Sequence, residues 1–260
     1  MPTPKTAIVT GSTSGIGRAI AERLASGGIN VVINSYSDAP EDHAIAAEIA
    51  AAHGVEAMYV AADMSKPDQC RDLVAKALER FGSADILVNN AGIQHVAPID
   101  DFPPEKWDAI IAINLSAAFH TIAAAVPAMR KAGWGRIVNI ASAHGLRASP
   151  HKSAYIAAKH GVVGLSKAVA MDVAGSGITS NAVCPGFVLT PLVETQIQDR
   201  MKESGFDRDR TIAEIILAKQ PSKQFATVEQ IAGSVAFLCS DDAAQITGTT
   251  LSVDGGWTAQ

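Results

Sequence analysis

The chain has 260 residues, 48% of them hydrophobic and 18% charged, with a formal net charge of −5. This is the composition of an ordinary globular protein, and no Pro/Gly/Ser-rich linker or composition shift argues for dividing it into separate domains. The mild negative charge excludes a broad basic surface for nucleic acid or for an anionic membrane, so a small-molecule partner is expected.

The three cysteines, Cys70, Cys184 and Cys239, are odd in number, far apart and in no metal-ligand pattern. They read as free buried thiols in a reducing compartment, with no metal site. Met1-Pro2-Thr3-Pro4-Lys5 runs directly into a strand-like segment, with no basic region ahead of an apolar core, and nowhere do eighteen uncharged apolar residues follow one another. A cytoplasmic protein without a membrane segment is the expectation.

The first strand, Thr6–Thr10, is apolar on both faces, as a strand inside a helix-covered parallel sheet should be. Thr10-Gly11-Ser12-Thr13-Ser14-Gly15-Ile16-Gly17 follows it and opens the helical pattern Gly15–Ser26. A glycine-rich turn between a strand and a helix presents free backbone N–H groups and the positive helix end to a pyrophosphate, although the spacing departs from G-x-G-x-x-G. Gly11, Gly15 and Gly17 are therefore candidate cofactor contacts.

The second strand, Asn30–Ser35, ends where a carboxylate selects NAD and an arginine selects NADP. The run Asn34-Ser35-Tyr36-Ser37-Asp38 has neither Arg nor Lys, and position 14 is serine, so a 2′-phosphate would lack a counter-charge. NAD is expected, with Asn34 or Asp38 bonding the ribose. After a helix at Glu41–Ala52 and a third strand at Glu56–Ala61, Asp63 is placed to accept from an adenine amino group.

A helix at Lys66–Phe81 and a strand at Ile86–Asn89 lead to Asn90-Ala91-Gly92, small enough for close approach to a cofactor. A long helical pattern, Pro104–Lys131, contains Asn114; the strand Arg136–Ala141 ends at Ser142; and a helix at Ser153–Ala174 carries Tyr155 and Lys159. The spacing of four puts phenol and ammonium on one face. A free phenol, with a pKa near 10, is a poor base at neutral pH. Lowering it by about three units requires roughly 4 kcal/mol of preferential stabilisation of phenolate, which a close ammonium and a positive nicotinamide ring can supply. Tyr155 is the candidate acid/base, Lys159 its electrostatic partner and a ribose contact, and Ser142 the donor to the reacting oxygen.

After a strand at Thr179–Val183, the stretch Val188–Ala218 breaks the βα rhythm, with many charges and no clear strand, and reads as a mobile lid. A helix at Thr227–Leu238 and a last strand at Thr250–Val253 complete the pattern. The whole is an α/β chain with a doubly wound parallel sheet, forming one Rossmann-type domain over residues 1–260.

On the T-G-x-x-x-G-x-G loop at Thr10–Gly17, Asn89-Asn90-Ala91-Gly92, Asn114, Ser142 with Tyr155-x-x-x-Lys159, and Pro185-Gly186 followed by Thr190, the chain resembles the short-chain dehydrogenase/reductase family from about Thr6 to Trp257. The resemblance implies a seven-stranded Rossmann-type sheet, a nicotinamide dinucleotide and a homotetramer. It also implies cofactor contacts at Thr13, Ile16, Tyr36, Met64, Pro185, Gly186, Val188 and Thr190, and a water anchored at Asn114 for proton relay.

Gln94, His144, Lys152 and Gln196 all donate hydrogen bonds and lie near these motifs; with one fixed positive charge they suit a small carboxylate, and Phe187 and Trp257 can wall it in. The strings around them resemble the members of the family that act on short 3-hydroxy acids, where the matching polar residues bind the carboxylate. Phe187 departs from that pattern, in which tryptophan is expected. The implied reaction is the reversible oxidation of D-3-hydroxybutyrate to acetoacetate. The alternatives are a 3-oxoacyl thioester or sugar-alcohol reductase of the same family, or a silent dinucleotide sensor, which would have no need of Ser142, Tyr155 and Lys159 together.

Overall fold

Seven short runs rich in Val, Ile and Ala, too short and too evenly apolar for amphipathic helices, form the strands of one sheet. The computed structural model describes residues 4–260, and of Pro191 and Leu192 the backbone only; Met1–Thr3, on which part of the targeting argument rested, lie outside the described residues. The strands are β1 (Thr6–Val9), β2 (Asn30–Ser35), β3 (Ala57–Ala61), β4 (Ile86–Asn89), β5 (Gly135–Ile140), β6 (Ile178–Pro185) and β7 (Thr250–Val253). All pair in parallel in the order β3-β2-β1-β4-β5-β6-β7.

Alternate residues of each strand feed two separate cores. Ile8, Val32, Leu87 and Ile137 face the layer formed by α3 (Pro67–Phe81), α5 (Ala117–Ala132) and α6 (Ser153–Asp172). Ala7, Val9, Ile33 and Val88 face α1 (Gly15–Ala25), α2 (Pro40–His53) and α9 (Val228–Cys239). Both faces are covered, which is why the strands are apolar throughout. Truncating a fully buried side chain such as Leu87 to alanine should cost about 2–5 kcal/mol.

The expected helix over 104–131 is interrupted. It consists of α4 (Pro104–Ile111), a π-helical turn at Ala112–Ser116 and α5, so one extra residue is accommodated at Asn114. By length and composition the run Pro104–Ala132 could cross a membrane, but here Ala118, Ile122, Ala125 and Met129 are buried in the core beside α3 and α6, and Ile110 is buried against Ala154 and Ala158 of α6.

The lid region is helical too: α7 (Pro191–Ser204), the short α8 (Arg208–Thr211) and a second π turn at Ile212–Ile216. It packs on its own small core of Val193, Ile197, Ile216 and Leu217 against Phe187. The three cysteines are buried and free, and burial pushes their thiols up to about 11 for Cys70 and Cys184 and about 12 for Cys239, so none is a ready nucleophile.

β1 lies between β2 and β4, so the connections after β1 and after β4 leave on opposite sides of the sheet. A crevice opens between them at the carboxyl ends of the strands, and the lid and the segment after β7 close its far end.

Candidate active site

The glycine loop is laced to its neighbours by polar side chains. Thr10 Oγ1 accepts from the N–H groups of Asn90 and Ala91 at 3.0 Å each, and Asn90 Nδ2 donates to the carbonyls of Thr10 and Gly11. Gly11 takes a φ of +60°, and a Cβ there would stand 2.9 Å from Ala91 Cα, so only glycine fits. Ser14, at the N-cap of α1, makes no side-chain capping bond, and the first turn contains no acid. The orphan N–H groups of that turn therefore face the cavity without an internal partner, as a pyrophosphate site requires.

Asn34 corrects an expectation. Its side chain is buried, with Oδ1 accepting from Gly11 N (3.2 Å) and Nδ2 donating to the carbonyls of Ser35, Val60 and Ala62 (3.0, 3.0 and 3.1 Å). Its backbone closes the pattern, with Ser12 N donating to Asn34 O and Asn34 N to Ser12 Oγ. Both ends of the amide are thus engaged within the protein, and Asn34 holds the loop while bordering the cavity. Asp38 is likewise engaged, by His43 at 2.7 Å, and does not line the cavity. Tyr36 does line it, with its ring 83% exposed. Asp63 spends one oxygen on Ser65 N (2.8 Å), which leaves the other for an amino group.

The cavity encloses about 570 Å³. Thr13, Ile16, Gly17, Met64, Gly92, Pro185, Gly186, Val188 and Thr190 line it beside the groups above, and so do Ser142, Tyr155, Lys159, Gln94, His144, Lys152, Phe187, Gln196 and Trp257. Besides Asp38, the one expected residue outside the cavity lining is Asn114, which stands directly behind it. Its amide is spent on Ile93, accepting from Ile93 N and donating to Ile93 O at 2.9 Å each, so a water anchored at this position would be held by the main chain.

At the reacting end, burial pushes the Tyr155 phenol up, while the Ser142 hydroxyl pulls it back down. Lys159 Nζ lies 5.6 Å from the centroid of the Tyr155 ring and donates to Ile140 O at 2.7 Å. Desolvation lowers that ammonium to about 8. Burial thus opposes the depression of the phenol expected from the sequence, while Lys159 stands on the same face, as expected.

Beyond them, desolvation lowers Lys152 to about 8, with Arg200 and Lys219 adding repulsion, and lowers His144 to about 3, so that the imidazole is neutral. His144 pairs with Ser149 Oγ at 3.0 Å, and its N–H donates to Ser142 Oγ at 3.1 Å. Gln94 Nε2 is buried without a partner among the described residues. A buried amide left unpaired is costly unless an acceptor arrives, and the desolvated Lys152 ammonium, 5.9 Å from the centroid of the Phe187 ring, also gains from an anion. Phe187 stacks on Trp257 with centroids 5.5 Å apart and planes 5° off parallel, and Trp257 meets His144 edge-on at 4.9 Å.

A family model described as enoyl-(acyl carrier protein) reductase matches residues 11–258. The D-beta-hydroxybutyrate dehydrogenase of Rhizobium meliloti is 57% identical over 98% of this chain and 99% of that one. The chain belongs to the short-chain dehydrogenase/reductase family. Within it, the D-beta-hydroxybutyrate dehydrogenase of Cupriavidus necator is 53% identical over 98% of each chain. A crystal structure of an actinorhodin polyketide ketoreductase variant with NADPH superposes with a TM-score of 0.92 at 34% identity, covering 99% of this chain and 98% of that one. The dehydrogenase is thus an oxidoreductase that binds a nicotinamide dinucleotide, and the uncapped α1 terminus and the glycine loop fit such a group.

Ser35, Ala62, Ile93, Ile113, Ile140, Ala141 and Val193 also line the cavity and escaped the sequence reading. Several follow directly on strand ends, a positional signal that could have found them; Ser149 and Ile140, which act through a hydroxyl and a main-chain carbonyl, carry no local signal.

Proposed function

We propose that this dehydrogenase interconverts D-3-hydroxybutyrate and acetoacetate with NAD. The observation that carries the reading is the convergence of unpaired Gln94 Nε2, Lys152, His144 and Gln196 on the cavity that also holds Ser142, Tyr155 and Lys159. One fixed cation among neutral donors suits a single carboxylate, and the names of the two bacterial relatives point the same way.

In this reading Lys152 and Gln94 hold the carboxylate, with His144 and Gln196 completing its shell and Phe187 and Trp257 limiting the alkyl end. Ser142 donates to the carbinol oxygen. Tyr155 takes the hydroxyl proton on oxidation and returns it on reduction. The glycine loop, the α1 terminus and Lys159 would hold the dinucleotide, which would supply hydride-transfer chemistry at the carbinol carbon. Lys159 favours phenolate and holds the adjoining ribose.

NAD is favoured over NADP because the lysines and arginines lining the cavity are Lys152 and Lys159, and neither follows β2, where a 2′-phosphate would lie. Apolar side chains exposed on α5 and α6, Phe119 and Met171, support assembly as a homotetramer, and sedimentation at assay concentrations would overturn this by showing a monomer. The composition and the reduced cysteines favour the cytoplasm, away from nucleic acid and membranes.

The deciding experiment is dinucleotide reduction by the purified protein with D-3-hydroxybutyrate, beside the L-enantiomer, a five-carbon homologue and NADP⁺. Turnover confined to the D-acid with NAD⁺ is expected. Brisk activity only on thioesters or neutral alcohols, or with NADP⁺, would overturn the acid pocket while leaving Tyr155 in its role.

A further inference from the structure

After β7 the chain reverses through two left-handed residues, Gly255 (φ +59°) and Gly256 (φ +89°), and brings Trp257 to the acid end of the cavity. The turn is held from within by buried Asp254. One carboxylate oxygen accepts from Gly256 N (3.1 Å); the other accepts from Thr258 N (2.9 Å) and Thr258 Oγ1 (2.6 Å).

From outside, it is gripped on two sides. Arg147 Nη2 donates to the main-chain oxygens of Thr258 (2.9 Å) and Gln260 (3.1 Å). Opposite, Gln260 Nε2 donates to Lys219 O (2.9 Å), and Ser222 N donates to Gly255 O (3.1 Å), which ties the turn to the base of the lid. Arg147 closes the short loop that begins at Ser142 and includes His144, and its own N–H donates to Ala143 O at 2.9 Å. One loop therefore carries the donor for the reacting oxygen, an acid-binding imidazole and the guanidinium that grips the turn bearing Trp257.

Trp257 sits in a single 3-10 turn, with no strand or long helix to locate it. Its ring position is set by these tethers and by its contacts with His144 and Phe187. We propose that Arg147 is a positioning residue for substrate selection: by anchoring the turn to the Ser142 loop it sets the distance between the Trp257 wall and the carboxylate donors, and so the length of acid accepted. This rests on the reading that a short hydroxy acid occupies that end. The planar guanidinium suits the task because Nη1 donates to Leu146 O (3.2 Å) while Nη2 reaches both main-chain oxygens of the turn, from an exposed position where it can be replaced without opening the core.

The test uses the full chain with Arg147→Ala, Arg147→Lys, Trp257→Ala and the double variant Arg147→Ala/Trp257→Ala. It records kcat and KM for D-3-hydroxybutyrate and its five- and six-carbon homologues, KM for NAD⁺, and Tm. Arg147→Ala should raise KM for the four-carbon acid about tenfold, the order allowed by two charge-assisted hydrogen bonds, with little change in kcat or in KM for the dinucleotide. Its preference for four carbons over five should shrink by a similar factor. Arg147→Lys should recover much of both, and in the Trp257→Ala background the arginine should no longer matter.

Strictly additive losses in the double variant would overturn the proposal, as would an equal fall in kcat with every substrate accompanied by a lowered Tm. If the wild type turns over another alcohol but not the hydroxy acid, it is the functional reading that fails. The coupling between positions 147 and 257, measured on that alcohol, still decides the role of Arg147.

Discussion

At the end of the cavity shaped for a dinucleotide, Asn34, Thr10, Asn90 and Ser12 spend their polar atoms on neighbouring backbone and leave main-chain N–H groups to meet the ligand. At the end proposed for the acid the order is reversed: side chains face the cavity, Gln94 Nε2 has no partner among the described residues, and burial shifts Lys152 and His144 toward their neutral forms. The first end is preorganised and satisfied before binding. The second stores unfavourable desolvation that an anion relieves. A scaffold of the first kind binds a whole class of dinucleotides, whereas one of the second kind discriminates, because a ligand lacking the carboxylate leaves the cost in place.

The hardest test of that contrast is Tyr155→Phe, which keeps the ring and removes the proton acceptor. We expect kcat to fall about 10³-fold with dinucleotide affinity unchanged, measured by turnover and by fluorescence titration. A parallel loss of dinucleotide affinity would mean that the two ends are not separable.

Lys152→Ala comes next. It should raise KM for the hydroxy acid about 100-fold while KM for NAD⁺ holds, whereas Lys159→Ala should act mainly on kcat. Equal losses in substrate affinity from both lysines would erase the division of labour.

Asn34→Ala probes the satisfied end. Four main-chain partners, two of them buried, lose their hydrogen bonds, so we expect a loss of about 1–3 kcal/mol in stability by denaturant titration and a KM for the dinucleotide raised several-fold, with the acid KM untouched. An unchanged dinucleotide KM would show that the loop keeps its shape without its lacing.

The smallest effect is in pH. Lys152 must be charged to hold a carboxylate, and its ammonium is lowered from 10.5 to about 8, so KM for the acid should rise as pH climbs through about 8 and the profile should flatten in Lys152→Met. The stability linkage has the opposite sense. The unfolded chain binds more protons than the folded one between about 8 and 10.5, so the cost of burying this lysine, fully present below 8, is relieved across that window. Thermal melts of the ligand-free protein at pH 7.5 and 9.5, compared with the same variant, check the sign.

The two ends also differed in how plainly the sequence announced them. Strand order, the glycine loop and the Tyr155–Lys159 face were legible because local spacing determines them. The roles of Asn34 and Asn114 were not: each amide looked free in the sequence and is consumed by backbone that only folding brings near, from β3 in one case and from the loop after β4 in the other. The π turn at Ala112–Ser116 was invisible for the same reason, since the residues around it have ordinary helical propensity. Arg147 gave no signal at all, because its partners lie 111 and 113 residues away and are main-chain oxygens that every residue has.

The lid leaves and rejoins the body of the protein at one place. Val188 bridges to Ala226, Ala226 N donates to Phe187 O, and Phe187 N donates to Gln220 Oε1, so the two ends of the excursion are joined before any of its helices begins. Once its ends are pinned together, lengthening the loop between them costs little, because closure entropy grows only slowly with length. Insertions and deletions between these anchors can reshape what enters the cavity without being felt by the sheet or by Tyr155. A lineage built on this plan can therefore change its substrate by editing one replaceable insert while inheriting its chemistry intact.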